Sequence, residues 1–383
     1  MTVRQARFQI HRSQKIAAAF LLVFCLQSLW LLAHLPLTLA ETRNVLAGES
    51  LWSSRRQLSQ ASPLIPGDSI LTLRLAGLLP SVAQHWQTRA AEFSIYAAPD
   101  RWLVRLPFVL FGVWLGAALW WVARRLFSDV GGYVALALYC FSPPMLIASA
   151  TVNSAVLAAW GLFGLVFTAI GVAHTLYAPA RKFRPRVLLL GTAIGLTAAA
   201  NVYAALAGLI FAIAFMLYLA PGKRALSLGL LATSTGIGAL LFLLCFGFSV
   251  RDLRASAVLH DPEVFRLTAE RVKAFLANPG GVLETFAFVA GLLVFFVWKR
   301  PRYFGNAAPL VVAGILPWWP GPFTPGAAII WSLPFVFVFI GGIYADLLEP
   351  EFFFGRFRRL VATTAFVLIG ASLLLGLVIV VRA

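Results

Sequence analysis

Residues 105–160 read RLPFVLFGVWLGAALWWVARRLFSDVGGYVALALYCFSPPMLIASATVNSAVLAAW, and this stretch decides the fold class. The apolar run 102–122 is long enough to cross a hydrocarbon layer about 30 Å thick, and it stops at the basic pair Arg124-Arg125. A second apolar run, 131–147, follows after a short polar connection, and a third occupies 155–176. Runs of this kind leave no polar face for water, so they belong in lipid or in protein that is itself in lipid. The rest of the chain agrees. Of 383 residues, 61% are hydrophobic and 12% charged, with a mean hydropathy of +0.87. That is too little charge to clothe a water-soluble fold of this length, so soluble cytosolic and secreted enzymes are excluded.

Working outward, further spans read at 16–39, 187–199, 202–220, 226–248, 282–298, 307–316, 329–344 and 361–381, about eleven in all. The expected fold is an all-α polytopic transmembrane helix bundle. The run 16–39 is too long for a cleavable signal, whose apolar region covers roughly 7–15 residues, so it reads as an uncleaved first span. Segments 187–199 and 202–220 are short and meet at Asn201, as either a bent hairpin or a kinked helix. Broken helices at membrane depth must face protein or a cavity, where the freed backbone groups find partners.

Charge sets the expected orientation. With a cytoplasmic N-terminus, every inner connection carries a tight basic cluster: Arg4 to Lys15, Arg124-Arg125, Arg181 to Arg186, Lys223-Arg224, Lys299 to Arg302 and Arg356 to Arg359. The C-terminus then lies outside. The resulting division is a basic N-terminus (1–15), a first transmembrane helix (16–39), an outer loop (40–101), a transmembrane bundle (102–248), a second outer loop (249–281) and C-terminal transmembrane helices (282–383). The net charge of +17 and pI near 10.8 invite a nucleic-acid reading. The basic residues are dispersed as topology signals, though, not gathered into one stripe, so no nucleic-acid partner is expected. Cys25, Cys140 and Cys245 all lie inside apolar runs, which indicates neither a disulfide framework nor a thiolate metal site. No metal is expected.

Both outer loops carry amphipathic pieces. In the first, Val45, Leu46, Leu51 and Trp52 form an apolar side beside Glu41, Arg43 and Glu49; a second piece, 70–79, has Asp68 as its expected cap and Arg74 snorkelling. The second loop predicts a surface helix capped by Asp261 with Pro262 in its first turn. Its stripe is Val264, Phe265, Thr268, Val272, Phe275 and Leu276, and Asn278-Pro279-Gly280 stops it.

The order Arg105-Leu106-Pro107, Arg124-Arg125-Leu126-Phe127, Ser142-Pro143 and Ala150-Thr151-Val152-Asn153 resembles the C-type membrane glycosyltransferases (GT-C), in particular bacterial protein O-mannosyltransferases and lipid A aminoarabinose transferases. The resemblance extends through 191–219 to 331–349 and covers roughly residues 40–350. It implies a GT-C arrangement in a bacterial inner (plasma) membrane protein. The implied activity moves a sugar from a polyprenyl-phosphate carrier to a lipid or protein acceptor at the outer face. Such chemistry needs a carboxylate base in the first outer loop and basic groups for the departing phosphate. The family's acidic pair falls on His34-Leu35 when Arg43 to Gly48 is matched, its later Asp falls on Asn153, its hairpin Lys is missing around Asn201, and its Tyr is Trp331.

The candidate residues follow. Glu41 is the nearest substitute for the base, about two helical turns away, and His34 is an alternative base or a residue tolerated at the headgroup level. Arg105, with Arg101 beside it and Arg43 in the first loop, reads as a ligand for a carrier phosphate or as a snorkelling anchor. Glu284 is an intramembrane acid, and so a candidate by default, or an interfacial partner of Arg271 or Lys273. Beyond a lipid-linked sugar donor no cofactor is expected. The expected partners are membrane lipids, a polyprenyl-phosphate carrier and other membrane subunits. Two functions remain open: an active transferase, or a scaffold that has lost catalysis and serves as an accessory or lipid-binding subunit.

Overall fold

The computed structural model of the chain describes residues 12–52, 69–87, 100–177, 183–256, 268–319, 327–348 and 355–382. Among them there are helices and no strands. In chain order these are α1 (Arg12–His34), α2 (Leu39–Trp52), α3 (Ile70–Gln87), α4 (Arg101–Phe141), α5 (Pro143–Ala150), α6 (Ser154–Thr175), α7 (Arg184–Ala200), α8 (Val202–Leu219), α9 (Arg224–Cys245), α10 (Val250–Ser256), α11 (Thr268–Leu276), α12 (Pro279–Val297), α13 (Phe304–Ile315), α14 (Ala327–Leu348) and α15 (Gly355–Arg382). Eight of the described helices are long and apolar enough to cross a membrane, and the chain is an integral membrane protein. The eleven apolar segments read from the sequence fall mainly on helices, but the third is interrupted at Ser142 and the first is shorter than expected: α1 stops at His34, residues 35–38 are not helical, and Leu39 already begins α2.

α4 is two helices, not one. Ser128 stands between them at φ 79° and ψ 178°, and the arms 101–127 and 129–141 fold back on each other. The Tyr139 hydroxyl donates to the carbonyl of Gly112 at 2.5 Å, and the Tyr139 ring packs where Gly116 leaves room. α14 lies along this hairpin, and residues 335–340 of α14 are almost wholly buried against it and its neighbours. α7 and α8 answer the choice left open at Asn201. Gly161 meets Thr197 across α6 and α7, while Gly208 of α8 meets Leu162 and Leu165, and the Lys223 ammonium beyond α8 reaches the Leu176 carbonyl at 2.6 Å. α8 therefore runs alongside α6 and back along α7, forming a hairpin whose turn is the single extended residue Asn201.

Polar contacts collect the connections at two ends. At one, Arg186 bonds the Gly171 carbonyl at 2.7 Å, Arg124 pairs with Asp129 at 2.5 Å, and Arg124, Arg125 and Lys223 lie over Trp120, Trp121 and Tyr177. At the other end, α2 packs on α3, and α3 packs on α4, α6 and α7. The backbones of α2 and α3 touch at Gly48 and Gly77: a Cβ on Gly48 would fall 2.1 Å from the Leu73 carbonyl, and one on Gly77 2.2 Å from the Gly48 carbonyl carbon. Only glycine permits that approach.

Several expectations change in detail. Asp68, the expected cap of α3, lies outside the described residues; the hydroxyl of Ser69, just before the helix, accepts from the Thr72 amide at 3.2 Å. Arg74 does not snorkel; it donates to the Cys245 carbonyl and lies over the Trp52 ring, because α3 packs on the bundle. Thr268 to Leu276 form α11 as expected, but Asp261, Pro262, Val264 and Phe265 lie outside the described residues.

Candidate functional site

The centre of the outer-loop end is a pair that the sequence separates by 64 residues. Pro36 follows the end of α1, and Thr38 opens α2. The Thr38 hydroxyl accepts from the Glu41 amide at 3.2 Å, and the Glu41 carboxylate accepts from the Thr38 amide at 2.9 Å. This reciprocal Thr-x-x-Glu box caps the first turn of α2 and aims the Glu41 carboxylate back towards α1. There it meets Arg105, one turn into α4, whose start is capped by Asp100 accepting from Trp102 at 3.0 Å. Arg105 Nε donates to Glu41 Oε1 at 2.9 Å and Nη2 to Oε2 at 2.7 Å. Both side chains are buried, Arg105 completely.

The remaining guanidinium hydrogens are spoken for. Nη1 donates to the carbonyls of Leu32 at 3.2 Å and Leu35 at 2.8 Å, and Nη2 donates to that of Pro36 at 2.9 Å. A guanidinium has five N–H donors, and all five are engaged. Three of them satisfy carbonyls at and just past the end of α1, where the helix dipole favours a cation. Glu41 Oε1 also accepts from the Val152 amide at 2.8 Å, which ties in the extended residues between α5 and α6. Burial alone would push the Glu41 pKa up. The Arg105 hydrogen bonds, the Thr38 and Val152 amides and the guanidinium charge outweigh burial and hold it below the usual carboxylate value.

The other sequence candidates are scattered around this knot. Arg101 is exposed and donates to the Ala33 carbonyl at 3.3 Å. His34 is exposed too, with Nδ1 2.9 Å from the Trp30 carbonyl and its ring stacked on Trp30 at 4.1 Å. Arg43 points to the open side of α2, in a shallow depression of about 410 Å³ with Leu39, Thr42, Leu46, Ala47 and Ser50. Asn153 caps α6: its Oδ1 accepts from Ala155 at 2.8 Å, and its Nδ2 donates to Thr151 Oγ1 at 2.7 Å. Trp331 is fully buried in α14. Glu284 makes no ion pair with Lys273, and the Arg271 side chain lies outside the described ones. Glu284 turns inward on α12 and accepts from the Ser142 hydroxyl at 2.5 Å, because α12 packs that face against the α4–α5 junction.

The structure thus brings Glu41 and Arg105 together, and leaves His34, Arg43 and Glu284 apart from them. Sequence reading missed the capping role of Glu41, although Thr38-Leu39-Ala40-Glu41 is its signature. Among the described residues, no three of His, Cys, Asp and Glu gather as a group that could hold a metal ion.

No protein-family model matches the sequence, and no curated protein matches it either. Solved structures do. The apo oligosaccharyltransferase of Archaeoglobus fulgidus superposes with a TM-score of 0.53 at 11% identity, covering 94% of this chain and 55% of that one. ArnT from Cupriavidus metallidurans, also apo, gives 0.53 at 12% identity, covering 86% of this chain and 59% of its own. Both are GT-C glycosyltransferases. The chain has a GT-C-like fold. It spans a little over half the length of these GT-C proteins. The same archaeal enzyme tethered to an acceptor peptide with the sequence NVT matches equally, at 13% identity.

Proposed function

We propose that this chain is a GT-C scaffold without glycosyl-transfer catalysis, serving as an accessory or lipid-binding subunit of a complex in a bacterial inner membrane, with its N-terminus cytoplasmic. One observation carries the reading. The acid and the cation that would serve as base and phosphate ligand consume each other: Arg105 has no N–H left for a phosphate, and Glu41, ionised and held by the guanidinium and two amides, is a poor acceptor for a hydroxyl proton. Asn153, standing where the resembled enzymes have Asp, is occupied as a helix cap. What the scaffold retains is a membrane bundle with α2 and α3 packed at one end and an apolar exterior suited to lipid and to neighbouring helices. Trp114 and Trp160, 4.6 Å apart, form an aromatic cluster with Phe111 on that exterior, and Trp114 is exposed.

The test is gentle detergent extraction with native mass measurement, paired with turnover assays on polyprenyl-phosphate sugars. A stoichiometric complex that is inert towards those donors is the expected result. A partner-free monomer that turns over a lipid-linked sugar overturns the reading, and loss of that turnover in Glu41→Gln or His34→Ala would then identify the base. Cysteine labelling checks the orientation: residues 184–186 and 270–275 should label from opposite sides of the membrane.

A further inference from the structure

α4 ends inside the bundle, not at its surface. Tyr139 meets Gly112, which lies about 10 Å along α4 from Arg105 at 1.5 Å per residue, so the end of the return arm sits at membrane depth. The chain breaks there at Ser142 (φ −68°, ψ 115°), and Pro143 and Pro144 follow. Those prolines lack the N–H groups that would have bonded the Tyr139 and Cys140 carbonyls in a continuous helix. The Ser142 amide turns back to Tyr139, and the Met145 amide, due to Phe141, bonds the Ser142 hydroxyl at 3.4 Å instead. The break therefore gathers helix-terminal carbonyls with the negative end of the α4 dipole.

α12 brings an acid to the same place. Its first turn approaches so closely that a Cβ on Gly280 would lie 2.8 Å from the Pro143 ring. One turn on, Glu284 is 93% buried, and its Oε1 accepts from Ser142 Oγ. Its Oε2 is buried and has no hydrogen-bond partner. No ion pair to Glu284 occurs among the described residues. The amides of Ser142, Met145 and Leu146 at this break are already spent on Tyr139 O, Ser142 Oγ and Ser142 O, so none of them reaches Glu284 Oε2.

We propose that Glu284 Oε2, Ser142 Oγ and the carbonyls at the end of α4 form a binding site for a monovalent cation, with sodium the best match. Hard oxygen donors select a hard cation. One carboxylate neutralises one positive charge, whereas a divalent ion would leave a net charge in a low-dielectric surrounding where uncompensated charge is costly. A broken membrane helix that supplies carbonyls beside an acid is also how backbone-lined sites for such ions are built in lipid. The site does not depend on the proposed loss of catalysis, since it shares no residue with Glu41 and Arg105.

The test uses the full chain in detergent. Thermal midpoints are measured at constant ionic strength in sodium, lithium, potassium and choline chloride, alongside equilibrium binding of radioactive sodium. The expected result is saturable sodium binding, a midpoint raised over choline by several degrees, and loss of both in Glu284→Gln, which keeps the side chain's shape. Absence of saturable binding to the wild-type chain overturns the site, as does binding that Glu284→Gln leaves intact. Infrared spectroscopy gives a reading on the wild-type chain alone. A protonated-carboxyl band that sodium abolishes supports the site, as does a carboxylate band that sodium shifts; a protonated band unmoved by saturating sodium means a proton holds the place, and overturns it.

Discussion

Two buried acids flank the short helix α5, and they are handled in opposite ways. Beyond its C-terminal end, Glu41 accepts from a guanidinium and two backbone amides, and its cation is itself saturated. At its N-terminal end, Glu284 has one hydroxyl and an oxygen without a partner. The first arrangement fastens α1, α2, α4 and the α5–α6 connection to one another. The second leaves a polar demand inside the membrane. A buried acid alone therefore says little about function, and what distinguishes the two is how completely the surrounding donors match it.

Arg105→Ala should break the comparison most sharply. It strands Glu41 and uncaps α1, and removing one partner of a buried pair costs about 3–5 kcal/mol. Detergent-solubilised variant should show a large fall in thermal midpoint, or fail to accumulate. Replacing both members together, Glu41→Met with Arg105→Met, should recover a substantial part of that loss, because no charge is then left alone. If the double variant is no better than the single, the pair is not the reason for the loss.

The next effect is a pH dependence. With its folded-state pKa lowered, Glu41 contributes stability that is fully present above the ordinary carboxylate value of about 4.3 and is lost as pH falls through the lower folded-state value. An acid titration of the thermal midpoint should therefore lose this contribution as pH falls below that range, and the acid limb should flatten in Glu41→Gln.

Ser142→Ala removes both the donor to Glu284 and the cap of α5, and should cost about 1–2 kcal/mol by midpoint measurement in sodium-free buffer. A loss as large as that of Arg105→Ala would mean that both ends of α5 are fastened alike. At the opposite end of the bundle, Ser128→Gly should stabilise by about 1 kcal/mol, since positive φ with extended ψ is a glycine conformation. The smallest effect is expected for His34→Ala, within about 0.5 kcal/mol, because the ring lies exposed on Trp30.

What could be read from the sequence was local or periodic. The apolar windows fall on all eight described helices that are long and apolar enough to cross a membrane, and Arg124-Arg125 marks the α4 turn within a few residues of Ser128. Ser142-Pro143 announced a break. Partnerships across the bundle were not legible. For Glu284 the linear pattern offers Arg271 or Lys273 as a neighbour, whereas the hydroxyl it accepts from is 142 positions away. Glu41 reads as a base and Arg105 as a phosphate ligand or a snorkelling anchor, since nothing in a linear pattern says that two opposite charges 64 positions apart will meet. The Thr38 to Glu41 box is written in the sequence as Thr-x-x-Glu, but the spacing alone does not say that the carboxylate also meets Arg105.

The return arm of α4 also bears on how the protein is made. Residues 129–141 extend only about 20 Å as helix, short of the hydrocarbon thickness of about 30 Å. This limb has no means of partitioning into the bilayer alone, so it enters as a hairpin with the arm before it. Its buried face, Val134 to Phe141, is covered in the finished protein by α14, which leaves the ribosome only after the whole middle of the chain has been synthesised. Until then only part of that face is covered, by Phe20 and Phe24 of α1, and a Gly131–Gly341 crossing, where a Cβ on either glycine would crowd the other helix's backbone, closes only when the late helix arrives. Assembly of the core is thus timed by the C-terminal half, and a chain interrupted before α14 would hold its earlier spans in the membrane with an open seam.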